Sequence, residues 1–247
     1  MKYDLFIKDY LAKYKSEKVN QSVQDSYLLL GSLQLYLATG DIEYKKIITE
    51  YVDCVNDLND IAIGKVLFYL YEETKEDRYM QAIEELISKM KTGPKDLEEF
   101  YMIMPIYAEY GTKIGKKENY NDIITQFKNI RNNIKSDTEK EWYLMALIDT
   151  LEVMSEEIFE HYKALEVFTK EAVKEIENDS AVRAYGILKS CRLKALLKEK
   201  YQENGIKIFE SIGDIGNNVM EATPDNNKSI GMLMMAYAQV LFLGKEE

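Results

Sequence analysis

The sequence predicts an all-α protein, and three observations lead to that class. Turn-forming residues are scarce, with 12 Gly and 3 Pro among 247 residues, which is few for a protein built from strands and tight turns. Segments that are apolar on nearly all sides alternate with amphipathic ones, as expected when inner helices are enclosed by outer helices. Charged turns that each end in a tyrosine recur along the chain. Together these features predict about twelve helices in six hairpins.

The tyrosine turns define the repeat. They end at Tyr44, Tyr79, Tyr120, Tyr162 and Tyr201, about every 35 to 42 residues, which is the length of a helical hairpin with its connection. Tetratricopeptide units repeat at ~34 residues and stack into an open superhelix. The unequal spacing and the apolar inner segments favour closure instead. We therefore predict an (α/α)6 toroid formed by a single domain over residues 1–247.

The six inner helices are expected to be the segments that are apolar on several faces. The sequence places them near residues 24–38, 60–72, 97–112, 140–154, 180–194 and 229–243. The tyrosine turns then form one rim of the toroid, and the connections that precede the inner helices form the other. Only one of those connections is long. It covers residues 213–228, is rich in Gly and Asn, and is expected to form a mobile loop.

Charge and apolar patterning limit the partners. The formal net charge is −11 and the isoelectric point is near 4.9, so the field of the protein repels phosphate backbones and nucleic acid is not an expected partner. The first residues mix apolar and charged side chains without the apolar core of a signal peptide, and no apolar run reaches transmembrane length. We expect a cytoplasmic protein without a membrane partner.

Common cofactor and metal motifs are absent from the sequence. It contains no Gly-rich phosphate loop, HExxH pair, CxxC pair or serine nucleophile elbow. Cys54 and Cys191 lie far apart within helical patterns and are expected to be reduced, buried residues. No cofactor and no metal are therefore predicted.

Several segments carry a family resemblance. They are Leu58-Asn-Asp-Ile-Ala-Ile-Gly-Lys65, Leu70-Tyr-Glu-Glu-Thr-Lys-Glu-Asp-Arg-Tyr79, Phe100-Tyr-Met-Ile-Met-Pro-Ile-Tyr-Ala-Glu-Tyr-Gly111, Trp142-Tyr-Leu-Met-Ala-Leu-Ile-Asp-Thr-Leu-Glu152, and residues 180–189 and 231–240. The sequence resembles the unsaturated uronyl hydrolases of glycoside hydrolase families 88 and 105, from about Gln24 to the carboxyl end. Those families have an (α/α)6 barrel, which is the architecture that the repeat also predicts.

The resemblance implies an activity and its site residues. The family hydrates the double bond of an unsaturated uronic acid at the non-reducing end of an oligosaccharide left by a polysaccharide lyase. One catalytic aspartate is expected in a Leu-Asp-x-Ile motif and the other in a Trp-x-Asp-x-x-Tyr-Met motif. Here the first position is Asn59, with Asp60 beside it, and the second is Glu98. Glu98 places its carboxyl group one methylene further out, and acid–base geometry is sensitive at that scale.

Other departures concern the walls of the substrate site. The family carries long aromatic and histidine-rich loops that here are reduced to residues 91–95 and 135–139. An arginine that the family carries just ahead of Trp142 is missing, which removes a charged partner for a sugar carboxylate.

Each candidate residue also has a purely structural interpretation. Glu98 could act as acid and base, or could be an acidic residue in the first turn of a helix, where the macrodipole favours it. Asn59 and Asp60 could bind a sugar hydroxyl or cap the next helix. Trp142 could be a stacking platform for a sugar ring or a core residue.

Two functional hypotheses follow. In the first, a hydrolase with reduced or lost activity uses Glu98 to protonate the double bond and then to activate water, while Asp60 or Asn59 orients the sugar. In the second, the fold is a non-catalytic scaffold that binds carbohydrate or protein, including a second copy of the chain, through the rim that the shortened loops expose.

Overall fold

The structure is a computed structural model that describes residues 2–17, 25–54, 64–89, 94–115, 119–212 and 224–245. Twelve α-helices and no strands lie in these ranges. The helices are α1 (Lys2–Glu17), α2 (Asp25–Thr39), α3 (Ile42–Cys54), α4 (Gly64–Thr74), α5 (Asp77–Lys89), α6 (Leu97–Lys113), α7 (Asn119–Arg131), α8 (Asp137–Val153), α9 (Phe159–Glu175), α10 (Ala181–Arg192), α11 (Lys198–Ile212) and α12 (Pro224–Leu243). None of these helices is long and apolar enough to span a bilayer.

The even-numbered helices form a closed inner ring. Each contacts the next in the order α2, α4, α6, α8, α10 and α12, and α12 contacts α2. The odd-numbered helices form an outer layer in which α3, α5, α7, α9 and α11 pack on the inner helices that precede them, while α1 packs on α12. The all-α class and the toroid predicted from the sequence are therefore confirmed.

Burial explains the division between the two layers. On the inner helix α8, every residue from Trp142 to Leu151 is buried, whichever side of the helix it occupies. On the outer helix α5, only one stripe is buried, formed by Tyr79, Ala82, Ile83 and Leu86. A helix that is buried all round has to lie inside a ring, and one with a single apolar stripe lies on its outside.

Capping residues set where several inner helices begin. Asp96 caps α6 by accepting a hydrogen bond from the Glu99 backbone N–H at 2.8 Å. Ser136 and Glu139 form a capping box at the start of α8, and Ser180 caps α10. All six inner helices run in the same direction, so their first turns share one end of the barrel, the N-terminal rim, and their last turns share the other, the C-terminal rim.

The last five residues of the loop expected at 213–228 are helical. Helix α12 begins at Pro224, so residues 224–228 are helical, and residues 213–223 lie outside the described ranges. Proline suits the first position of a helix because it lacks the N–H that would be unpaired there. The composition of this segment, rich in Gly and Asn, concealed that helix start.

Two glycines allow the ring to close between α2 and α12. A Cβ atom on Gly231 would lie 2.3 Å from the carbonyl carbon of Tyr27 and 2.4 Å from its oxygen. A Cβ atom on Gly31 would lie 2.7 Å from the Cβ of Met234 and 2.8 Å from the carbonyl oxygen of Gly231. Such distances are too short for any side chain, so the two helices meet backbone to backbone.

We expect Gly231→Ala to lower the free energy of unfolding by about 1–2 kcal/mol, because the overpacking cost exceeds the ~1 kcal/mol that alanine gains in helix propensity. Thermal melting followed by circular dichroism measures the change. Gly244→Ala is the control, since the nearest atom to its added Cβ would be 3.6 Å away. Equal or greater stability of Gly231→Ala would contradict the close backbone contact.

Candidate active site

Glu98 lies at the N-terminal rim, in the first turn of α6, with 34% of its side chain exposed. Its Oε1 atom accepts a hydrogen bond from the Tyr27 hydroxyl at 2.6 Å and another from the Lys228 ammonium at 2.8 Å. Within the described ranges, no donor reaches Oε2. One carboxylate oxygen is thus held by two donors from α2 and α12, and the other is available to a ligand.

Lys228 connects Glu98 to an aromatic wall. Its Nζ atom lies 4.5 Å from the centroid of the Trp142 ring and 5.4 Å from that of the Tyr27 ring. These are cation–π distances, so the ammonium is stabilised by two rings as well as by the carboxylate of Glu98. Its side chain remains 27% exposed, which leaves this positive charge accessible from solvent.

Trp142 is largely enclosed. It is 7% exposed, its ring stacks on Tyr101 with centroids 5.6 Å apart and planes at 25°, and the Tyr27 ring lies 5.8 Å away. In this arrangement Trp142 belongs to the core and also forms the wall on which Lys228 rests.

Tyr27 is a fully buried donor. Burial raises the pKa of its hydroxyl well above the ordinary value, and the hydrogen bond to Glu98 raises it further. The hydroxyl therefore stays protonated at any physiological pH, and it orients the Glu98 carboxylate.

A buried polar cluster lies beneath the aromatic wall. Asp149, 1% exposed, accepts hydrogen bonds from Lys189 at 2.6 Å and from Lys65 at 2.9 Å, and the Tyr185 hydroxyl also donates to it. The Tyr101 hydroxyl is 3.4 Å from the same carboxylate. Tyr101 thus joins the Trp142 ring on one side to the Asp149 carboxylate on the other.

The cluster extends toward the C-terminal rim. Glu152, one turn after Asp149, is 2.7 Å from Lys189 and 2.6 Å from Arg192. The Arg192 Nε donates to Gln239 at 2.8 Å, and Gln239 donates to Gln34. Charged and amide groups from α2, α8, α10 and α12 therefore form one hydrogen-bonded network inside the inner ring.

The neighbouring cations set the pKa values of Asp149, which is buried, and of Glu152, whose side chain is 29% exposed. Burial by itself would raise the pKa of Asp149, but attraction to Lys189 and Lys65 outweighs it and holds the pKa well below its ordinary value of 3.8. For Glu152, burial is likewise outweighed by Lys189, Lys65 and Arg192, which lower its pKa from 4.5 to about 2. Both groups are ionised at neutral pH.

The structure locates two of the four residues that the sequence nominated. It brings Glu98 and Trp142 together through Lys228, whereas Asn59 and Asp60 lie outside the described ranges. Sequence reasoning missed Tyr27 and Lys228, because their contacts with Glu98 join residues 71 and 130 positions apart. The one feature of the sequence that could have indicated Lys228 was its position near the start of the last inner helix.

The pH dependence of stability follows from the lowered pKa values. The unfolded chain takes up protons on Asp149 and Glu152 before the folded protein does, so their contribution is complete above about pH 4.5 and is lost as the pH falls through the folded pKa values. We expect the melting temperature to fall steeply between pH 4.5 and 2.

Asp149→Asn tests this assignment. It leaves Lys189, which is 0% exposed, without its closest carboxylate, and we expect a loss of about 3–5 kcal/mol at neutral pH and a shallower acid transition. The control is Glu171→Gln, which removes one of two exposed carboxylates paired with Arg131. An unchanged acid slope in Asp149→Asn would refute the role of the cluster.

Comparisons with known proteins agree with this architecture. Two solved structures are similar: a family 105 glycoside hydrolase from C. acetobutylicum ATCC 824, with a TM-score of 0.75, 17% identity and coverage of 97% of this chain and 99% of that one, and a family 88 glycosyl hydrolase from Bacteroides vulgatus, with a TM-score of 0.69, 13% identity and coverage of 97% and 98%. No curated protein matches. The model of Glycosyl Hydrolase Family 88 matches residues 6–145. That match covers more than half of the sequence, and the chain therefore belongs to Glycosyl Hydrolase Family 88.

Proposed function

We propose that the chain binds the unsaturated uronyl residue at the non-reducing end of a lyase-generated oligosaccharide, and that it hydrolyses this residue at a reduced rate. The observation that carries the proposal is the contact between Lys228 and Glu98 above the Trp142 ring. It combines a cation for the sugar carboxylate with a carboxylate at the position where the resemblance expects a catalytic aspartate.

Lys228 is the proposed partner of the sugar carboxylate. The arginine expected just ahead of Trp142 is missing from the sequence, and Lys228 places a positive charge 4.5 Å from the same ring. A uronate can replace Glu98 as the partner of this ammonium through a charge-assisted hydrogen bond. Because Lys228 is partly exposed, the exchange does not require the core to open.

Glu98 is the proposed acid and base. Once the uronate has replaced it as the partner of Lys228, Glu98 would take up a proton from solvent and pass it to one carbon of the double bond, and the adjacent ring oxygen would stabilise the cation that forms at the other carbon. Glu98, now a carboxylate, would take a proton from the water that adds to that cation. Tyr27 would orient the group throughout, and Asp60 or Asn59 would orient the sugar.

The same contacts support reduced activity. Both donors lie on Oε1, so proton transfer requires either that Lys228 moves to the substrate or that Oε2 reaches the double bond. The carboxyl group also extends one methylene beyond that of an aspartate, and effective proton transfer depends on placement within an ångström. We expect these changes to lower the rate of proton transfer more than the affinity for the sugar.

The second candidate function is a non-catalytic scaffold that binds carbohydrate or a protein partner. It is supported by the enclosure of Trp142, which is stacked on Tyr101 and covered by Lys228 and so is closed as a stacking platform unless Lys228 moves. The two candidates share the binding step and differ in turnover.

We expect unsaturated uronyl disaccharides to lose their ultraviolet absorbance slowly with the wild-type protein, and Glu98→Gln to reduce that rate by about 100-fold or more. The control is Glu99→Gln, on the adjacent position, where the side chain accepts from the Lys95 backbone N–H and glutamine keeps an acceptor. Full activity of Glu98→Gln would reject the catalytic role. Binding without any turnover by the wild type would favour the scaffold.

Lys228→Met tests the carboxylate partner. We expect its affinity for the unsaturated disaccharide to fall about tenfold or more, the loss associated with one hydrogen bond between charged groups. Since the chain contains a single Trp and Lys228 lies over it, the fluorescence of Trp142 reports binding directly. Lys140→Met is the control, because Lys140 lies at the same rim and pairs with Asp137. Equal affinities for both variants would contradict the proposal.

A further inference from the structure

The C-terminal rim contains a cavity, at the opposite end of the barrel from Glu98. Its volume is about 500 Å³, which is within the range of small-molecule sites. It is lined by residues from the last turns of all six inner helices, among them Leu37, Glu72, Glu109, Val153, Arg192 and Phe242. Glu98 and Glu109 lie 11 residues apart on α6, so about 16 Å of helix separates the two sites.

Much of the wall is apolar. Leucines of α2 line one side, and Val153 of α8 and Phe242 of α12 also face the cavity. Leu37, at the mouth, is 53% exposed. An apolar group of a ligand that packs against this wall removes apolar surface from water, which favours binding.

Three carboxylates and two basic side chains are among the residues that line the cavity. Glu72, Glu109 and Glu152 line the cavity, with Lys65 and Arg192 as the cations. Both cations are already engaged: Lys65 with Asp149 at 2.9 Å, and Arg192 with Glu152 at 2.6 Å. The carboxylates are paired as well, Glu72 and Glu109 with Lys113 and Glu152 with Lys189 and Arg192. Glu72 and Glu109 each use only Oε1 for this pairing, and within the described ranges no donor reaches their Oε2 atoms. A cationic ligand could therefore bind there without breaking a pair, whereas an anionic ligand would have to break one.

The backbone adds to the negative potential. The inner helices are parallel, so their carboxyl ends, which carry partial negative charge, meet at this rim. Burial raises the pKa of Glu109, an effect that Lys113 partly opposes, and an incoming cation would favour the ionised form of that carboxyl group.

The side chain of Lys113 shows how the carboxylates of this cavity bind an ammonium group. Lys113 lies 2.6 Å from Glu72 and 2.6 Å from Glu109, and its Nζ is 5.2 Å from the centroid of the Phe68 ring. Two carboxylates and an aromatic face are the groups that recognise an amine.

We propose that this cavity binds an organic ammonium ion that carries an apolar group, with the ammonium against Glu109 and Glu72 and the apolar group along the leucines of α2. This site is separate from the uronyl site of the proposed function. Its ligand has the opposite charge, and its occupancy does not depend on turnover.

Calorimetric titration with three probes of equal length tests the head group. Hexylammonium, hexanol and hexanoate share one apolar chain and differ only in charge. We expect hexylammonium to bind about tenfold more tightly than hexanol, and hexanoate more weakly than either. Equal affinities, tighter binding of hexanoate, or no binding of hexylammonium at millimolar concentration would overturn the proposal.

Variants locate the site. Glu109→Gln leaves Lys113 paired with Glu72, so the fold is retained, and we expect it to lower the affinity for hexylammonium about tenfold without changing that for hexanol. The control is Glu171→Gln, which likewise removes one of two carboxylates from a cation, Arg131, on the outer layer.

Two further variants separate this site from the uronyl site. Leu33→Trp, which fills the cavity, is expected to abolish binding of hexylammonium and hexanol, while Glu98→Gln is expected to leave both unchanged. Loss of hexylammonium binding in Glu98→Gln but not in Glu109→Gln would place the amine at the N-terminal rim and overturn the proposal.

Discussion

The close contact between α2 and α12 is the constraint on which the rest of the barrel depends. These are the first and last inner helices in the chain, and the ring is open unless they meet. Gly31 and Gly231 allow them to meet at backbone distance. The same contact builds the candidate active site, because Gly231 lies against the backbone of Tyr27 and Lys228 lies one turn earlier on α12. Ring closure thus brings both donors to Glu98 on α6.

The charged groups of the polar cluster inside the ring lose hydration when the protein folds, and their mutual attraction has to compensate for that loss. A buried ion pair seldom adds net stability, because desolvation cancels most of the attraction, but leaving one partner alone is strongly unfavourable. Asp149 and Lys189 satisfy each other, and Lys65, Tyr185 and Tyr101 complete the hydrogen bonding. Because Tyr101 also stacks on Trp142, the cluster holds the floor of the candidate active site in place.

The sequence predicted the features that depend on neighbouring residues and missed the contacts between residues that are distant in the sequence. The inner helices were located to within a few residues, because a segment such as 142–148 is apolar on every face. The start of α12 was misplaced, since one proline among Gly and Asn residues determines it. Glu98 and Trp142 were found through local motifs. Lys228 and Tyr27 were not, because no local pattern indicates which residues ring closure brings together.

The parallel arrangement of the inner helices also gives the two ends of the barrel opposite electrostatic character. Amino ends of helices favour anions and carboxyl ends favour cations, and the effect is strongest within the terminal turn. At the N-terminal rim, Lys228 adds a partly exposed positive charge, which suits a uronate. At the C-terminal rim, Glu72 and Glu109 line a cavity of about 500 Å³ and use only one carboxylate oxygen each to pair with Lys113. The two proposed sites, for an acidic sugar at one end and an amine at the other, therefore both follow the direction of the inner helices.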